Sequence, residues 1–183
     1  MRKVLTRKFF ERGTVIVAEE LLGKFLVRRV RGKEIVVMIT EVEAYDGHKD
    51  KASHAHRGRT KRNEPMFGGA GVWYVYLCYG MHHMLNVVTG AKEYPAAVLV
   101  RCIEANGKRV CGPGRVTKFL NIDKKLNAKQ VSKDTGLWIE DRGVRVVKKD
   151  IQKTPRIGVD YAGPVWSKKR YRFYIKPHRS EAK

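Results

Sequence analysis

The chain has 183 residues, of which 43% are hydrophobic, and this composition excludes an intrinsically disordered protein. Lys and Arg number 39 against 18 Asp and Glu, which gives a formal net charge of +21. So basic a chain is expected to bind a polyanion, and nucleic acid fits better than an anionic membrane or a charge kept only for solubility.

Hydrophobic periodicity and turn residues predict many short strands and few helices. A first helix, Val15 to Leu22, is expected to be capped by Thr14 and stopped by Gly23. Phe25 to Arg31 and Ile35 to Glu43 then form a hairpin. The second of these strands is apolar from 35 to 39, so it should be central and covered on both faces.

The rest of the chain continues this pattern. Residues 46–71 are predicted to be loop with short helical turns, and Pro113 opens a helix to about Leu120. Further strands are predicted over residues 72–79, 85–89, 96–104, 137–140, 144–147, 157–159 and 172–175. Because hairpins dominate, we predict an α+β fold, a single domain over residues 1–183 built on a curved, mostly antiparallel sheet with flanking short helices.

Two carboxylates, Glu41 and Glu43, stand at the end of the second strand. Strict alternation places both on the face of Val37 and Ile39, where a carboxylate is costly unless it is paired or used. In one interpretation, one Glu is bonded to a basic neighbour and the other is solvated at the end of the strand. The other interpretation gives at least one of them a function, since a carboxylate at a strand end beside a pocket suits a general base.

The segment from Trp73 to Met81 is rich in aromatic residues, which strands favour in any case. Tyr79 differs from the others because it ends the strand before Gly80, where its ring can project outward. In so basic a chain a projecting aromatic fits stacking on bases or wedging between them, while packing in the core is the ordinary alternative.

Two basic segments are candidates for contact with phosphates. The first is a loop that carries Arg57, Arg59, Lys61 and Arg62, and a solvated loop is its alternative explanation. The second is the turn Gly112-Pro113-Gly114-Arg115, which could present backbone N–H groups at the start of a helix.

Histidines and cysteines give no sign of a metal site. The histidines at 48, 54, 56, 82 and 83 lack an HExxH pattern, and the three cysteines are odd in number and lack CxxC spacing. We therefore expect reduced thiols and no metal. Since no stretch is long and apolar enough for a signal or a membrane span, we expect a cytoplasmic protein that is not secreted.

Taken together, these segments resemble the alkyladenine (3-methyladenine) DNA glycosylase family of mammals and many bacteria. The matching pieces follow in family order across nearly the whole chain: Leu21-Leu22-Gly23-Lys24, Glu41-Val42-Glu43-Ala44-Tyr45, His54, Arg62-Asn63, Met66-Phe67, Tyr74-Val75-Tyr76, Tyr79-Gly80-Met81, Asn86, Val98-Leu99-Val100-Arg101, Glu104, Gly112-Pro113, Gly136-Leu137-Trp138, Arg156-Ile157-Gly158-Val159 and Arg172-Phe173-Tyr174.

The resemblance implies roles in hydrolysis for part of this set. Glu43 would be the general base that activates a water for attack on C1′ of a flipped nucleotide. Arg101, with the backbone of Ile157, would help to hold that water.

The resemblance also implies how the base is held and selected. Tyr45, His54 and Tyr76 would wall the base pocket, and the His54 amide would bond the base edge. Asn86 would clash with the exocyclic amine of guanine. Tyr79, with Met81 beside it, would be the wedge that fills the gap left by the flipped nucleotide.

The implied protein is a monofunctional glycosylase of base excision repair, a monomer that acts on double-stranded DNA containing alkylated or deaminated purines. It needs no metal or organic cofactor, and Arg57, Arg59, Lys61, Arg62 and Arg115 would contact the DNA backbone. Two alternatives stay open, a basic nucleic-acid-binding domain without catalysis and a bifunctional glycosylase/lyase, which needs an amine nucleophile.

Overall fold

The computed structural model describes residues 2–176, which are dominated by a ten-stranded antiparallel sheet. The strands are β1 (Lys3–Val4), β2 (Phe25–Val30), β3 (Lys33–Asp46), β4 (Trp73–Cys78), β5 (His82–Val88), β6 (Ala96–Ala105), β7 (Lys108–Cys111), β8 (Leu137–Asp141), β9 (Ile151–Thr154) and β10 (Arg172–Ile175). The helices are α1 (Arg7–Phe10), α2 (Thr14–Leu21), α3 (Pro113–Phe119) and α4 (Gly163–Trp166). The predicted α+β class and antiparallel sheet are confirmed. None of the helices within residues 2–176 is long and apolar enough to cross a membrane.

The strand order β1-β8-β2-β3-β6-β5-β4 places β3 in the middle of the sheet, as predicted. Beside this path, β10 pairs with both β3 and β9, and β7 pairs with β6. Val37 and Ile39 of β3 are buried, whereas Val36 and Met38 are only half-buried, so the expected cover on both faces is incomplete.

The two faces of the sheet carry different clusters of buried side chains. Trp73 and Val75 point into the main core, over which α2 packs on β3 and α3 packs on β5 and β6. The residue between them, Tyr74, joins a smaller cluster on the other face with Met66 and Phe67 of the 46–71 loop. This second face, beneath that loop, carries the site described below.

A pair of bulges interrupts β3 and β6. The residues that pair across the irregularity are Ile39 with Ile103, Glu41 with Cys102, and Val42 with Val100. Thr40 on β3 and Arg101 on β6 are therefore extra residues, one in each strand. A bulge bends its strand and re-aims the side chains that follow it.

The bulges exchange the two faces of β3. Ile39 points into the main core before the bulge, and Val42 and Ala44 do so after it. The prediction that Glu41 and Glu43 continue the line of Ile39 is therefore wrong. Because a shift by one residue moves every later side chain to the other face, both carboxylates point away from the main core.

Several predicted boundaries need correction. Thr14 is the first residue of α2 and Gly13 occupies the cap position, so Thr14 is not the cap. The predicted strands over 144–147 and 157–159 are absent from the structure. Val146 lies against Gly23, so the segment 144–147 packs over the start of β2. The segment 157–159 is a turn, with Gly158 at φ 71°. The strands β1, β7 and β9 were not predicted.

The expectation of three reduced thiols is wrong for two of them. The turn at Asn106 and Gly107 sets Cys102 of β6 opposite Cys111 of β7, and a disulfide joins them. Cys78 is free. A pairing that depends on hairpin register leaves no CxxC spacing in the sequence.

Candidate active site

An open cleft of about 890 Å³ lies on the second face of the sheet. It narrows to a recess of about 50 Å³. Of the residues singled out in the sequence, the cleft brings together Tyr45, His54, Arg57, Arg62, Tyr76, Tyr79, Arg101 and Ile157, and the recess adds Asn86. Met84, Leu99 and Tyr161 also line these spaces, and sequence reasoning gave them no role.

Glu43 lies beneath the cleft with 0% of its surface exposed. Its Oε1 accepts a hydrogen bond from the backbone N–H of Ile157 at 2.8 Å. Its Oε2 accepts from the hydroxyl of Tyr45 at 2.9 Å and from Arg101 at 3.2 Å. Three donors from separate parts of the chain thus fix both carboxylate oxygens. The backbone N–H of Ile157 donates to the Glu43 carboxylate and not to a neighbouring strand, as it would in the predicted strand over residues 157–159.

Tyr45 is a permanent donor in this arrangement. Its burial, followed by the negative charge of Glu43, raises the pKa of the Tyr45 hydroxyl well above its ordinary value. The phenol therefore stays protonated at physiological pH and keeps donating to the carboxylate.

Arg101 links the two carboxylates that the bulges turn away from the main core. Its Nε donates to Oε1 of Glu41 at 3.2 Å, and its Nη1 donates to Oε2 of Glu43. Arg172 of β10 donates to the same Glu41 oxygen at 3.3 Å. Both glutamates are therefore ion-paired to Arg101, and Glu41, which also pairs with Arg172, holds Arg101 in place beside Glu43.

A buried ion pair supports the site from below. Asp50 and Arg156 both have fully buried side chains, and Arg156 donates to Asp50 Oδ1 at 2.8 Å and to the carbonyl of Ala44 at 2.8 Å. Its guanidinium lies 4.8 Å from the ring centre of Tyr45. Burial lowers the pKa of Arg156, but the hydrogen bonds and charge of Asp50 outweigh it, so that pKa is raised.

This pair fixes two of the groups that hold Glu43. Arg156 precedes Ile157 in the chain and packs on the ring of Tyr45. Sequence reasoning noted Arg156 only within a matched segment and did not single out Asp50, because nothing in the pattern joins residues so far apart.

His54 and Tyr76 form one aromatic wall together. Their ring centres are 4.6 Å apart in an edge-to-face contact, and Nδ1 of His54 lies 3.1 Å from the hydroxyl of Tyr74. Partial burial and the positive charge of Arg62 lower the pKa of His54, which favours the neutral imidazole. Since these two rings touch, a planar ligand has no room between them, and only the face of this wall that is turned to the cleft is open to stacking.

Tyr79 and Met81 project from the rim of the cleft. Their side chains are 90% and 72% exposed. Tyr79 and Gly80 have φ angles of 49° and 69°, and the N–H of Met81 donates to the carbonyl of Cys78 at 3.1 Å. Tyr79 thus belongs to a tight turn and not to the strand, which ends one residue earlier than predicted.

Asn86 forms part of the recess and is 3% exposed. Its amide nitrogen donates to the carbonyls of Tyr74 at 3.1 Å and Met84 at 3.4 Å. The side chain is therefore held rigidly by the backbone of β4 and β5.

The five basic residues predicted to contact phosphates differ in their surroundings. Arg57 and Arg62 line the cleft, and Lys61 and Arg115 are exposed. Arg59 is paired with the carboxylates of Glu64 and Glu93, which offset its charge. Buried Asn63 organises this loop, since its amide donates to the carbonyls of His54 and Gly58.

Comparison with known proteins shows which family this chain resembles. The family model described as Methylpurine-DNA glycosylase (MPG) matches residues 8–179. A Legionella pneumophila (strain Paris) protein named "Putative 3-methyladenine DNA glycosylase" is 45% identical over 179 residues, 96% of each chain. Proteins with the same name from Myxococcus xanthus (strain DK1622) and Methanocella arvoryzae are 42% and 43% identical, and the alignments cover 98% and 94% of this chain and 93% and 92% of those proteins.

Proposed function

The chain belongs to the methylpurine-DNA glycosylase family, and on that premise we propose that it is a monofunctional glycosylase that flips damaged purines out of duplex DNA and hydrolyses their N-glycosidic bond. It is thus a hydrolase whose partner is DNA. The observation that carries the proposal is Glu43, a buried carboxylate held by three donors directly beneath an aromatic cleft.

Glu43 is proposed as the general base. Cleavage of a glycosidic bond passes through an oxocarbenium-like state, which a nearby carboxylate stabilises while it activates water. Entry of the nucleotide brings a water into the shell formed by Glu43, Arg101 and the Ile157 amide. Catalytic hydrogen bonds often reach their working geometry only in the complex with substrate.

The flipped base is proposed to lie between Tyr45 and the wall formed by His54 and Tyr76. Alkylated adenines are cationic, and electron-rich rings attract them more than they attract normal bases. The His54 backbone amide would bond the base edge, and Asn86 in the recess would exclude a 2-amino group. The rigid hold on the Asn86 amide supports this role, because a side chain that cannot move aside enforces a clash.

DNA distortion is proposed to depend on Tyr79 and Met81. Both side chains project into solvent, and apolar wedges in the minor groove unstack base steps and stabilise a kinked duplex. Flipping costs a few kcal/mol and is cheapest for weakly paired lesions, which adds to selection. The cationic side chains of Arg57, Lys61, Arg62 and Arg115 would contact the flanking phosphates of the duplex, and Arg59 would do so by exchanging its carboxylate partners for a phosphate.

The test is incubation with duplexes that each carry 3-methyladenine, 7-methylguanine, hypoxanthine or etheno-adenine. We expect abasic sites that break only after alkali, full activity in EDTA, and no covalent adduct with borohydride. Strand breakage before alkali together with borohydride trapping would show a lyase with an amine nucleophile. If none of the four lesions yields abasic sites, the protein is a binding domain. Sedimentation of the free protein tests the proposed monomer.

A further inference from the structure

A cysteine pair lies next to the candidate base. Cys102 and Cys111 face each other with Cα atoms 4.2 Å apart and are joined by a disulfide. The N–H of Gly112 donates to the carbonyl of Arg101 at 2.9 Å, which makes the cysteines a non-hydrogen-bonded cross-strand pair. Side chains lie closest at such positions, so the hairpin keeps the two sulfurs within reach when the bond is reduced.

The two sulfurs differ in access to solvent. Cys102 is 3% exposed, whereas Cys111 is exposed and borders a cavity of about 230 Å³. Arg109 and Arg172 line the same cavity. Their guanidinium groups attract a small thiol that carries carboxylates.

One contact links the sulfurs to the active site. Sγ of Cys102 lies 2.9 Å from Oε2 of Glu41, so a thiol formed there by reduction has a carboxylate acceptor beside it. The other oxygen of Glu41 accepts from Arg101, which in turn donates to Glu43. A disulfide sulfur carries no proton, so the Cys102 bond to Glu41 forms only in the reduced state.

We propose that Cys102 and Cys111 form a reversible redox site that exchanges with small thiols of the glutathione class, and that its reduction strengthens the support of Glu43 by Arg101. In the disulfide form Arg101 is shared between Glu41 and Glu43, at 3.2 Å from each. A Cys102 thiol formed by reduction gives Glu41 a further donor, so Arg101 is held less strongly by Glu41 and more strongly by Glu43.

The exchange balances with glutathione disulfide as the oxidant. The exposed Cys111 thiolate attacks one sulfur of glutathione disulfide, which forms a mixed disulfide and releases one glutathione thiolate. Cys102 then attacks the Cys111 sulfur, which closes the protein disulfide and releases the second glutathione thiolate. The two protons from the cysteines end on the two glutathione thiols.

A metal site is the competing use of the same atoms. Ligand atoms of Glu41, Cys102 and Cys111 lie within 4.8 Å of one another. Two observations favour the redox site. The cysteines are already joined by a disulfide. Arg101 and Arg172 both form ion pairs with Glu41, and their positive charges repel a metal cation.

The first experiment counts free thiols by alkylation after equilibration in glutathione buffers of varied ratio. The chain has three cysteines, so wild type should pass from three alkylated thiols to one as the buffer becomes oxidising. A constant count across the range would overturn the proposal. The measurement needs neither a variant nor activity, so its failure is distinct from failure of the glycosylase proposal.

A second experiment tests the link to Glu41. The Glu41→Gln change weakens the hydrogen bond that holds reduced Cys102. The midpoint of the thiol–disulfide transition should therefore move toward more reducing glutathione buffers, because the disulfide is then favoured. The matched control is Glu34→Gln on β3, whose carboxylate pairs with Arg29 in an exposed bridge and does not line the cysteine cavity, and its midpoint should stay close to that of wild type. Equal midpoints in all three proteins would overturn the role of Glu41.

The last experiment compares single-turnover excision by the oxidised and reduced protein. Oxidised wild type should be a few-fold slower, and Cys111→Ser should show no response to the redox buffer. Equal rates for the two wild-type forms would overturn the link to Arg101. Stoichiometric zinc binding by the reduced protein that blocks its oxidation would replace the redox site with a metal site.

Discussion

Replacing Glu43 by Gln preserves shape and removes the carboxylate charge. If the amide oxygen of Gln faces Tyr45 and Arg101, its NH2 group meets the N–H of Ile157, so one charge-assisted bond is lost. Such a bond contributes about 1.5–3 kcal/mol to the free energy of unfolding. Its loss should lower the Tm of a chain of this size by about 3–12 °C. Loss of the general base should slow base release by about 10²–10⁴-fold, while lesion DNA still binds.

Single-turnover excision with excess enzyme measures the chemical step, and thermal unfolding measures the cost to the fold. Glu34→Gln is a matched control on the same strand, because Glu34 pairs with Arg29 at 2.8 Å in an exposed bridge. Exposed bridges contribute at most about 1 kcal/mol, so this variant should keep its rate. A folded Glu43→Gln protein within about tenfold of wild type, a barrier change of only about 1.4 kcal/mol, would refute the assignment.

Three further predictions concern the cleft. Tyr79→Ala should keep its Tm, because the side chain is 90% exposed, but should reduce flipping of an etheno-adenine duplex in stopped-flow fluorescence; an unchanged flipping equilibrium would remove Tyr79 as the wedge. Asn86→Ser should raise excision of guanine-derived relative to adenine-derived lesions in competition assays, and an unaltered ratio would place selectivity elsewhere. Arg62→Gln should raise the pKa of His54 in an NMR titration, because only partial burial then lowers it; a midpoint that stays put would contradict the coupling.

The sequence was sufficient to predict the central position of β3 and to single out Glu43 as a candidate, but not the face on which Glu43 lies. An unbroken apolar run marks a central strand wherever it occurs. The bulges at Thr40 and Arg101 arise from how two strands, far apart in the chain, fit together, and a pattern with a period of two residues cannot show an extra residue.

Two other errors have the same origin. Ile157 to Val159 is short, apolar and strand-like in sequence, but the first amide of the segment is bound by Glu43 and Gly158 turns the chain. The pairing of Cys102 with Cys111 requires the register of a hairpin whose second strand is too short and polar to be predicted. In each case a partner distant in sequence decides the local structure.

The buried pair of Asp50 and Arg156 constrains how this enzyme can evolve. Removing one partner of a buried pair costs about 3–5 kcal/mol, which is a large share of the roughly 5–15 kcal/mol that keeps a domain folded. The two residues are 106 positions apart, so a single mutational event does not ordinarily replace both. Any lineage that exchanges one of them passes through an intermediate that is weakened in fold and in active site together. Positions 50 and 156 should therefore be inherited as a unit, and they should vary only as a pair.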